Sequence, residues 1–360
     1  MTDYQLGDRL RVTLFGQSHA PGVGAVIEGL PAGMRPDWAE IAAFMQRRAP
    51  GKNALSSARR EADAPEIVSG LNEEGCTCGA PLCALIRNGD ARRRDYAALR
   101  DTPRPGHADY AAWLKYGEHW DASGGGQFSG RMTAPLCFAG ALCLQILRKK
   151  GVEIAAHISR VGDIWDDAPD PVHPRLPLYA PGAFPTLNAE KGAAMQAAIS
   201  AAARQGDSLG GAVRCVVTGV AGGLGGPLFG GLESRLAAAL FAIPAVKGVE
   251  FGAGFSVAGM RGSENNDAFR LEAHQIRTVT NNAGGILGGV STGMPLIFQC
   301  ALKPTPSIGK EQQTVNLRTG EETTVRIQGR HDPCVVPRAV PVVEAMAALV
   351  LCDLILQEGK

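Results

Sequence analysis

The chain carries almost no net charge. Thirty-six Lys and Arg are offset by 35 Asp and Glu across 360 residues, for a formal charge of +1. That balance excludes a general polyanion-binding role, and with it nucleic acid as a partner, while leaving room for a local basic pocket. The N-terminus lacks the basic, apolar and small-residue succession of a signal peptide. No uninterrupted apolar run approaches membrane length, so no membrane partner is expected and a soluble cytoplasmic protein is. A repeat of fixed short period is missing, as is a linker. The length suits one large domain or two ordinary ones, and without a linker the expectation is a single domain over residues 1–360, with the Pro-rich stretch 166–185 as an excursion.

Hydrophobic residues make up 45% of the chain and charged residues 20%, a globular composition. Glycine is abundant at 46 residues, much of it clustered, as expected for tight turns and close backbone approach. The nine cysteines are an odd number, and Cys137, Cys143, Cys215, Cys300 and Cys352 lie inside apolar stretches. That pattern reads as buried free thiols in a reducing compartment. Cys76, Cys78 and Cys83 form a C-x-C-x4-C group with no fourth ligand at usable spacing, so no metal site is expected.

Strand-like runs occupy 9–15, 22–29, 65–69, 81–86, 152–158, 211–218, 250–258, 294–302 and 322–328, on Val/Ile content and flanking Gly and Pro. Helical periodicity is clearest over 36–48, 134–150, 189–204, 232–241 and 338–356. The helices at 134–150 and 338–356 are apolar nearly all round, which places them in the middle of a fold. Strand pairs joined by long Gly-rich loops outnumber β-α-β alternation. That argues for an α+β sandwich and against a doubly wound parallel sheet.

Ionisable groups cluster in a few short motifs. Gly329-Arg330-His331-Asp332-Pro333-Cys334 packs a cation, an imidazole and a carboxylate together before the last helix. Loops loaded in this way are where chemistry tends to be placed, and a solvated turn with one Arg–Asp pair is the alternative. His19 follows Phe15-Gly16-Gln17-Ser18 at a strand end, and His107 sits within Arg104-Pro105-Gly106-His107-Ala108-Asp109. Each suits acid–base work or a purely structural bond to the backbone. Arg104 is a better anion-binding candidate than Arg92, Arg93 and Arg94, which are flanked by Asp90 and Asp95. The runs Ser123-Gly124-Gly125-Gly126-Gln127 and Asn281-Asn282-Ala283-Gly284-Gly285-Ile286-Leu287-Gly288-Gly289 lack the setting of a Rossmann or P-loop fingerprint. They license close backbone approach to a flat or anionic ligand. Lys303-Pro304-Thr305-Pro306-Ser307 adds a cation and two hydroxyls on a stiffened turn.

With these motifs together, the chain resembles the chorismate synthase family over essentially its whole length. The match runs through the Phe15-to-His19 signature, Arg104 to Tyr110, Gly206-Asp207-Ser208-Leu209-Gly210-Gly211 and Ile243-Pro244-Ala245-Val246-Lys247-Gly248-Val249-Glu250. It continues in Asn282 to Gly289, Lys303 to Ser307, Gly329 to Cys334 and Arg338-Ala339-Val340-Pro341. The resemblance implies a lyase that converts 5-enolpyruvylshikimate 3-phosphate to chorismate and phosphate by 1,4-anti elimination, using reduced FMN in a redox-neutral reaction. It also implies a homotetramer of β-α-β sandwiches, each with a helical layer between antiparallel sheets. By the same resemblance His19 protonates the departing phosphate, His107 holds a proton near the flavin, and Asp332 serves in removal of the C6 hydrogen. Arg48, Arg104, Arg131 and Arg330 resemble substrate- or cofactor-binding arginines. Gln127, Phe128, Ser129, Pro244, Ala245, Gly288, Lys303, Pro304, Thr305, Pro306, Ser307 and Arg330 fall at positions resembling cofactor contacts.

The chain departs from the family pattern at several of these places. Gly-Glu-Ser-His-Gly reads Gly16-Gln17-Ser18-His19-Ala20, and Arg-Ser-Ser-Ala-Arg-Glu-Thr reads Gln127-Phe128-Ser129-Gly130-Arg131-Met132-Thr133. An arginine expected beyond Arg48 aligns with Ala54. A lost charge-assisted bond is worth about 1.5–3 kcal/mol, so the same chemistry with weaker FMN or substrate binding is expected. A catalytically silent relative that binds flavin or an anion is the alternative, and a cysteine-based metal or redox protein is a second. No reductase segment follows the last helix, so dependence on externally reduced FMN is expected, with no activity on nicotinamide nucleotide (NADP) alone. His331 has no assigned role.

Overall fold

The computed structural model describes residues 3–51, 61–89, 99–175, 177–327 and 331–359. In chain order the elements are β1 (Gln5–Leu6), β2 (Arg11–Gly16), β3 (Gly22–Glu28), α1 (Trp38–Arg48), β4 (Pro65–Ser69), β5 (Leu82–Arg87), α2 (Asp109–Tyr116) and α3 (Thr133–Lys149). Next come β6 (Glu153–Val161), β7 (Ile164–Trp165), α4 (Ala189–Arg204), β8 (Gly211–Thr218), α5 (Leu232–Phe241), β9 (Val246–Phe251) and α6 (Gly262–Asn265). The series ends with β10 (Phe269–Glu272), β11 (Gln275–Thr278), β12 (Ile286–Leu287), β13 (Val290–Ser291), β14 (Leu296–Leu302), β15 (Glu311–Val315), β16 (Glu322–Arg326) and α7 (Val336–Glu358).

The architecture is α+β. One five-stranded sheet has the order β1-β2-β3-β5-β4 and a second the order β7-β6-β8-β14-β9. Every pairing in both is antiparallel. Helix α3 packs on β3 and β5 of the first sheet, α7 on β6 and β8 of the second, and α3 and α7 on each other. One continuous apolar cluster joins both sheets and both helices. Where the two helices cross, Gly140 is required: a Cβ there would stand 2.3 Å from the Cβ of Ala345.

By length and mean hydropathy α7, at 23 residues, and Gly130–Lys149 could each cross a membrane. Helix α7 is nonetheless not an uninterrupted apolar run, since Arg338, Glu344 and Asp353 stand within it. Both carboxylates are buried and fully engaged. Glu344 accepts from Arg47 at 2.7 and 2.9 Å and from the amide of Ala156 at 2.9 Å. Asp353 accepts from the amides of Asp8, Arg9 and Leu10 at 3.0, 2.7 and 2.7 Å. Nearly all of the helix lies inside the protein, so its polar groups find partners in the fold.

The expected strand at 250–258 is also displaced. The strand is Val246–Phe251, and Gly254–Gly259 is a 3-10 turn. Gly252 and Gly254, both with positive φ, end the strand despite the apolar residues that follow.

Candidate active site

A cleft of about 680 Å³, within the usual range of ligand pockets of roughly 300–1,000 Å³, gathers most of the motifs. His19, His107, Asp332, Arg48, Arg104 and Arg131 line it, with Gln127, Phe128, Ser129, Pro244, Ala245, Lys303, Thr305, Pro306 and Ser307. Gly288 does not; it forms the turn between β12 and β13. Pro304 faces a second cavity beside Trp165 and Gln299. Arg330 and Ala54 lie outside the described residues, as do Arg92, Arg93 and Arg94.

The glycine run after Ser123 makes its close approach to imidazoles. A Cβ on Gly124 would stand 2.2 Å from His19 Cε1, and one on Gly125 would stand 3.0 Å from His107 Cε1. Both glycines have positive φ, so neither position admits a side chain without strain. The two rings are thus packed against adjacent residues of one loop.

Each imidazole is oriented through Nδ1. Ser18 Oγ donates to the Ser123 carbonyl at 3.1 Å, so its lone pair accepts from His19 Nδ1–H at 2.7 Å. His107 Nδ1 donates to Asp109 Oδ1 at 2.6 Å. In both rings Nε2 is then the nitrogen that can exchange a proton with a ligand. Burial would raise the Asp109 carboxyl, but Arg104 and His107 hold it well below the usual carboxylate range. Arg104 grips Asp109 with two bonds, Nε to Oδ2 at 2.7 Å and Nη2 to Oδ1 at 2.8 Å, and reaches Ser307 Oγ with Nη1 at 3.3 Å. This joins the Arg104 turn to the Lys303 loop.

A second buried carboxylate, Asp63, joins two other arginines. It accepts from Arg48 Nη1 at 2.5 Å and from Arg131 Nη1, and its side chain is fully buried. Burial works to raise its carboxyl, and the two guanidiniums outweigh that and hold it low. Asp63 sits at φ +50°, a strained conformation for a non-glycine residue that clusters at functional sites. Arg48 further donates to Thr133 Oγ1 at 3.0 Å and the Gly130 carbonyl at 3.1 Å. Arg131 donates to Asn88 Oδ1 at 2.8 Å and the Arg87 carbonyl at 3.1 Å. A guanidinium has five N–H donors, so both arginines keep donors for an anion in the cleft.

The third carboxylate is Asp332, whose Oδ2 lies 2.5 Å from Arg338 Nη1. Arg338 also donates from Nε to the Arg48 carbonyl at 2.9 Å. Beside it His331 lines the cleft with Nε2 buried and without a partner among the described residues. Burial and the nearby Arg104 push this imidazole down to about 4. Thr305 Oγ1 is likewise buried and unpartnered among the described residues.

Across the cleft Lys303 Nζ donates to the Gly106 carbonyl, and burial together with Lys247 lowers its pKa. Its amide donates to the carbonyl of Ala245 at 2.9 Å, a residue held at φ +77°. Two lysines, the orphaned hydroxyl of Thr305 and the orphaned nitrogen of His331 fit a large ligand that carries an anionic group and hydrogen-bonding ring atoms. The cysteines supply nothing comparable: Cys78 is exposed, and no group of three or more metal-ligating side chains occurs among the described residues.

Sequence reasoning named the cations, Asp332 and the motif that holds Asp109, and missed Asp63 and Asn88. Arg338, which pairs with Asp332, stood in a quoted motif with no role given.

Comparison with known proteins points to one family. A family model described as chorismate synthase matches residues 10–356. A chorismate synthase of Lancefieldella parvula is 45% identical over 360 residues, covering 96% of this chain and 94% of its own. One from Methanocella arvoryzae is 46% identical over 360 residues, covering 100% and 96%. A crystal structure of a chorismate synthase superposes with a TM-score of 0.74 at 28% identity, covering 98% of this chain and 93% of that one. The chain belongs to the chorismate synthase family.

Proposed function

We propose that this chain is a carbon–oxygen lyase that converts 5-enolpyruvylshikimate 3-phosphate to chorismate and phosphate. The observation that carries the reading is the convergence of His19, His107 and Asp332 on one cleft, together with four arginines among the described residues.

Arg48 and Arg131, held by Asp63, bind and orient the anionic substrate. His19, its Nδ1 fixed on Ser18, presents Nε2 to protonate the departing phosphate. Asp332 stays at the N-terminal end of α7 through Arg338 and acts where the C6 hydrogen is removed. His107, oriented by Asp109, holds a proton on the cofactor side.

Reduced FMN is the cofactor in this reading; Lys303, Thr305, Ser307, Ala245 and the backbone at Gln127, Phe128 and Ser129 would hold it. When bound, it would supply transient electron density that assists C–O cleavage. Protein with chemically reduced FMN, kept anaerobic, will release phosphate from the substrate, whereas NADP alone will support no turnover. Flavin binding without phosphate release would favour the silent relative instead.

The finer architecture proposed is a single domain built as a β-α-β sandwich, supported by the contacts of α3 and α7 with opposite sheets and by the shared apolar cluster. A homotetramer is supported by large apolar side chains at the surface, including Leu178, Phe229, Phe255 and Leu271. Nine free thiols support a cytoplasmic location.

A further inference from the structure

We propose that Asn88 is a positioning residue that sets the placement of His19 relative to Arg131. It follows directly on β5, and its side chain touches both halves of the site. Oδ1 accepts from Arg131 Nε at 2.8 Å. Nδ2 donates to the carbonyls of Gln17 at 3.0 Å and Ala20 at 2.8 Å, the residues that bracket Ser18 and His19. Its backbone amide donates to the Pro21 carbonyl at 3.1 Å.

The chemistry of the amide fixes its orientation. Two carbonyl oxygens need a donor and a guanidinium N–H needs an acceptor, so a flipped amide would lose all three side-chain bonds. Neither a carboxylate nor a hydroxyl can make the same set, since a carboxylate has no donor and a hydroxyl has one. The turn between Gln17 and Ala20 is closed by the bond from Ala20 N–H to the Gln17 carbonyl at 3.2 Å. Asn88 pins both ends of that turn. Arg131 is also anchored on Asp63, on the Arg87 carbonyl and, at 3.8 Å, on Glu61, so residues 87 and 88 supply two of its hydrogen-bond acceptors.

This inference rests on the reading that His19 protonates the leaving phosphate and Arg131 binds the substrate. A proton donor and the cation that holds its substrate must be in register, because a displacement of about 1 Å can cost roughly 100-fold in rate. Asn88 bonds to both the Arg131 guanidinium and the His19 turn.

The test is a double-mutant cycle on the intact enzyme with reduced FMN. Asn88→Ala is expected to lower kcat by about 30-fold and to raise KM for the substrate by about 10-fold. On a His19→Ala background the kcat loss should shrink to less than about threefold, because a misplaced donor no longer matters once it is gone. On an Arg131→Ala background the rise in KM should vanish. Effects that multiply in full on both backgrounds, or Asn88→Ala kinetics within about twofold of wild type, would overturn the proposal. A His19→Ala enzyme with wild-type kcat would instead overturn the assignment of His19. Should Asn88→Ala not fold, Asn88→Ser, which retains one donor, is carried through the same cycle.

Discussion

Asp332 and Arg338 are joined at 2.5 Å across the N-terminal turn of α7, and the same guanidinium bonds to the carbonyl of Arg48 at 2.9 Å. The carboxylate proposed to act at the C–H bond is therefore tied, through Arg338, to the backbone of Arg48, the arginine proposed to bind substrate. Arg338→Met should lower kcat by about 100-fold through loss of that alignment. The side chains keep 21% and 12% exposure, so the stability loss should fall below the roughly 3–5 kcal/mol of a fully buried pair. Steady-state kinetics and a urea titration separate the two effects; wild-type kcat with lowered stability would make the pair structural only.

Asp63 is the more demanding case, since its side chain is fully buried between two guanidiniums. Asp63→Asn leaves two cations sharing a neutral partner, and the loss should reach about 3–5 kcal/mol. The folded fraction should also show a raised KM for substrate, because Arg48 and Arg131 lose their common anchor. Urea midpoints at pH 7 and substrate titrations check both; an unchanged midpoint would contradict the burial argument.

Acid should weaken the fold in a defined window. His331 is pushed down to about 4 from 6.5, so the unfolded chain takes up a proton before the folded one does. The associated stability is fully present above about pH 6.5, falls as pH drops towards 4, and is lost below it. A shift of that size corresponds to about 3 kcal/mol. The burial that lowers His157 acts with the same sign. Asp63 and Asp109, with carboxyls held low, add a loss only below the ordinary carboxylate range near pH 4. Urea midpoints from pH 7 to 4.5 should fall for wild type, with a shallower slope for His331→Gln. Equal slopes would contradict the assignment.

Gly140 tests the packing of the two central helices. Alanine is worth about 1 kcal/mol more than glycine in a helix, yet its Cβ would meet Ala345 at 2.3 Å. Overpacking of that kind costs about 1–3 kcal/mol, and Gly140→Val should cost more than Gly140→Ala. A stabilised Gly140→Ala would show that α3 and α7 are not in such close contact.

Much of the fold was legible because apolar periodicity and local punctuation agreed. The bounds expected for α4 and α5 are those observed, where capping by Asn188 and the glycine before Leu232 mark the starts. Strand β9 was misplaced because Lys247 and Gly248 hide it, while Phe255 and Val257 imitate a strand beyond it. The polar β15, Glu-Gln-Gln-Thr-Val, escaped notice because its order comes from pairing with β16. The site was legible where chemistry clusters along the chain, as in Arg104 to Asp109. It was not legible where a lone side chain such as Asp63 or Asn88 acquires its role from partners distant in sequence.

The most direct measurement of the central claim is anaerobic phosphate release from 5-enolpyruvylshikimate 3-phosphate with chemically reduced FMN, comparing wild type with Asp332→Asn. The account predicts one phosphate released per chorismate formed by the wild type, and release slowed by about 100-fold or more in the variant, with substrate still bound. Equal rates for the two proteins, or no phosphate from the wild type, would contradict it.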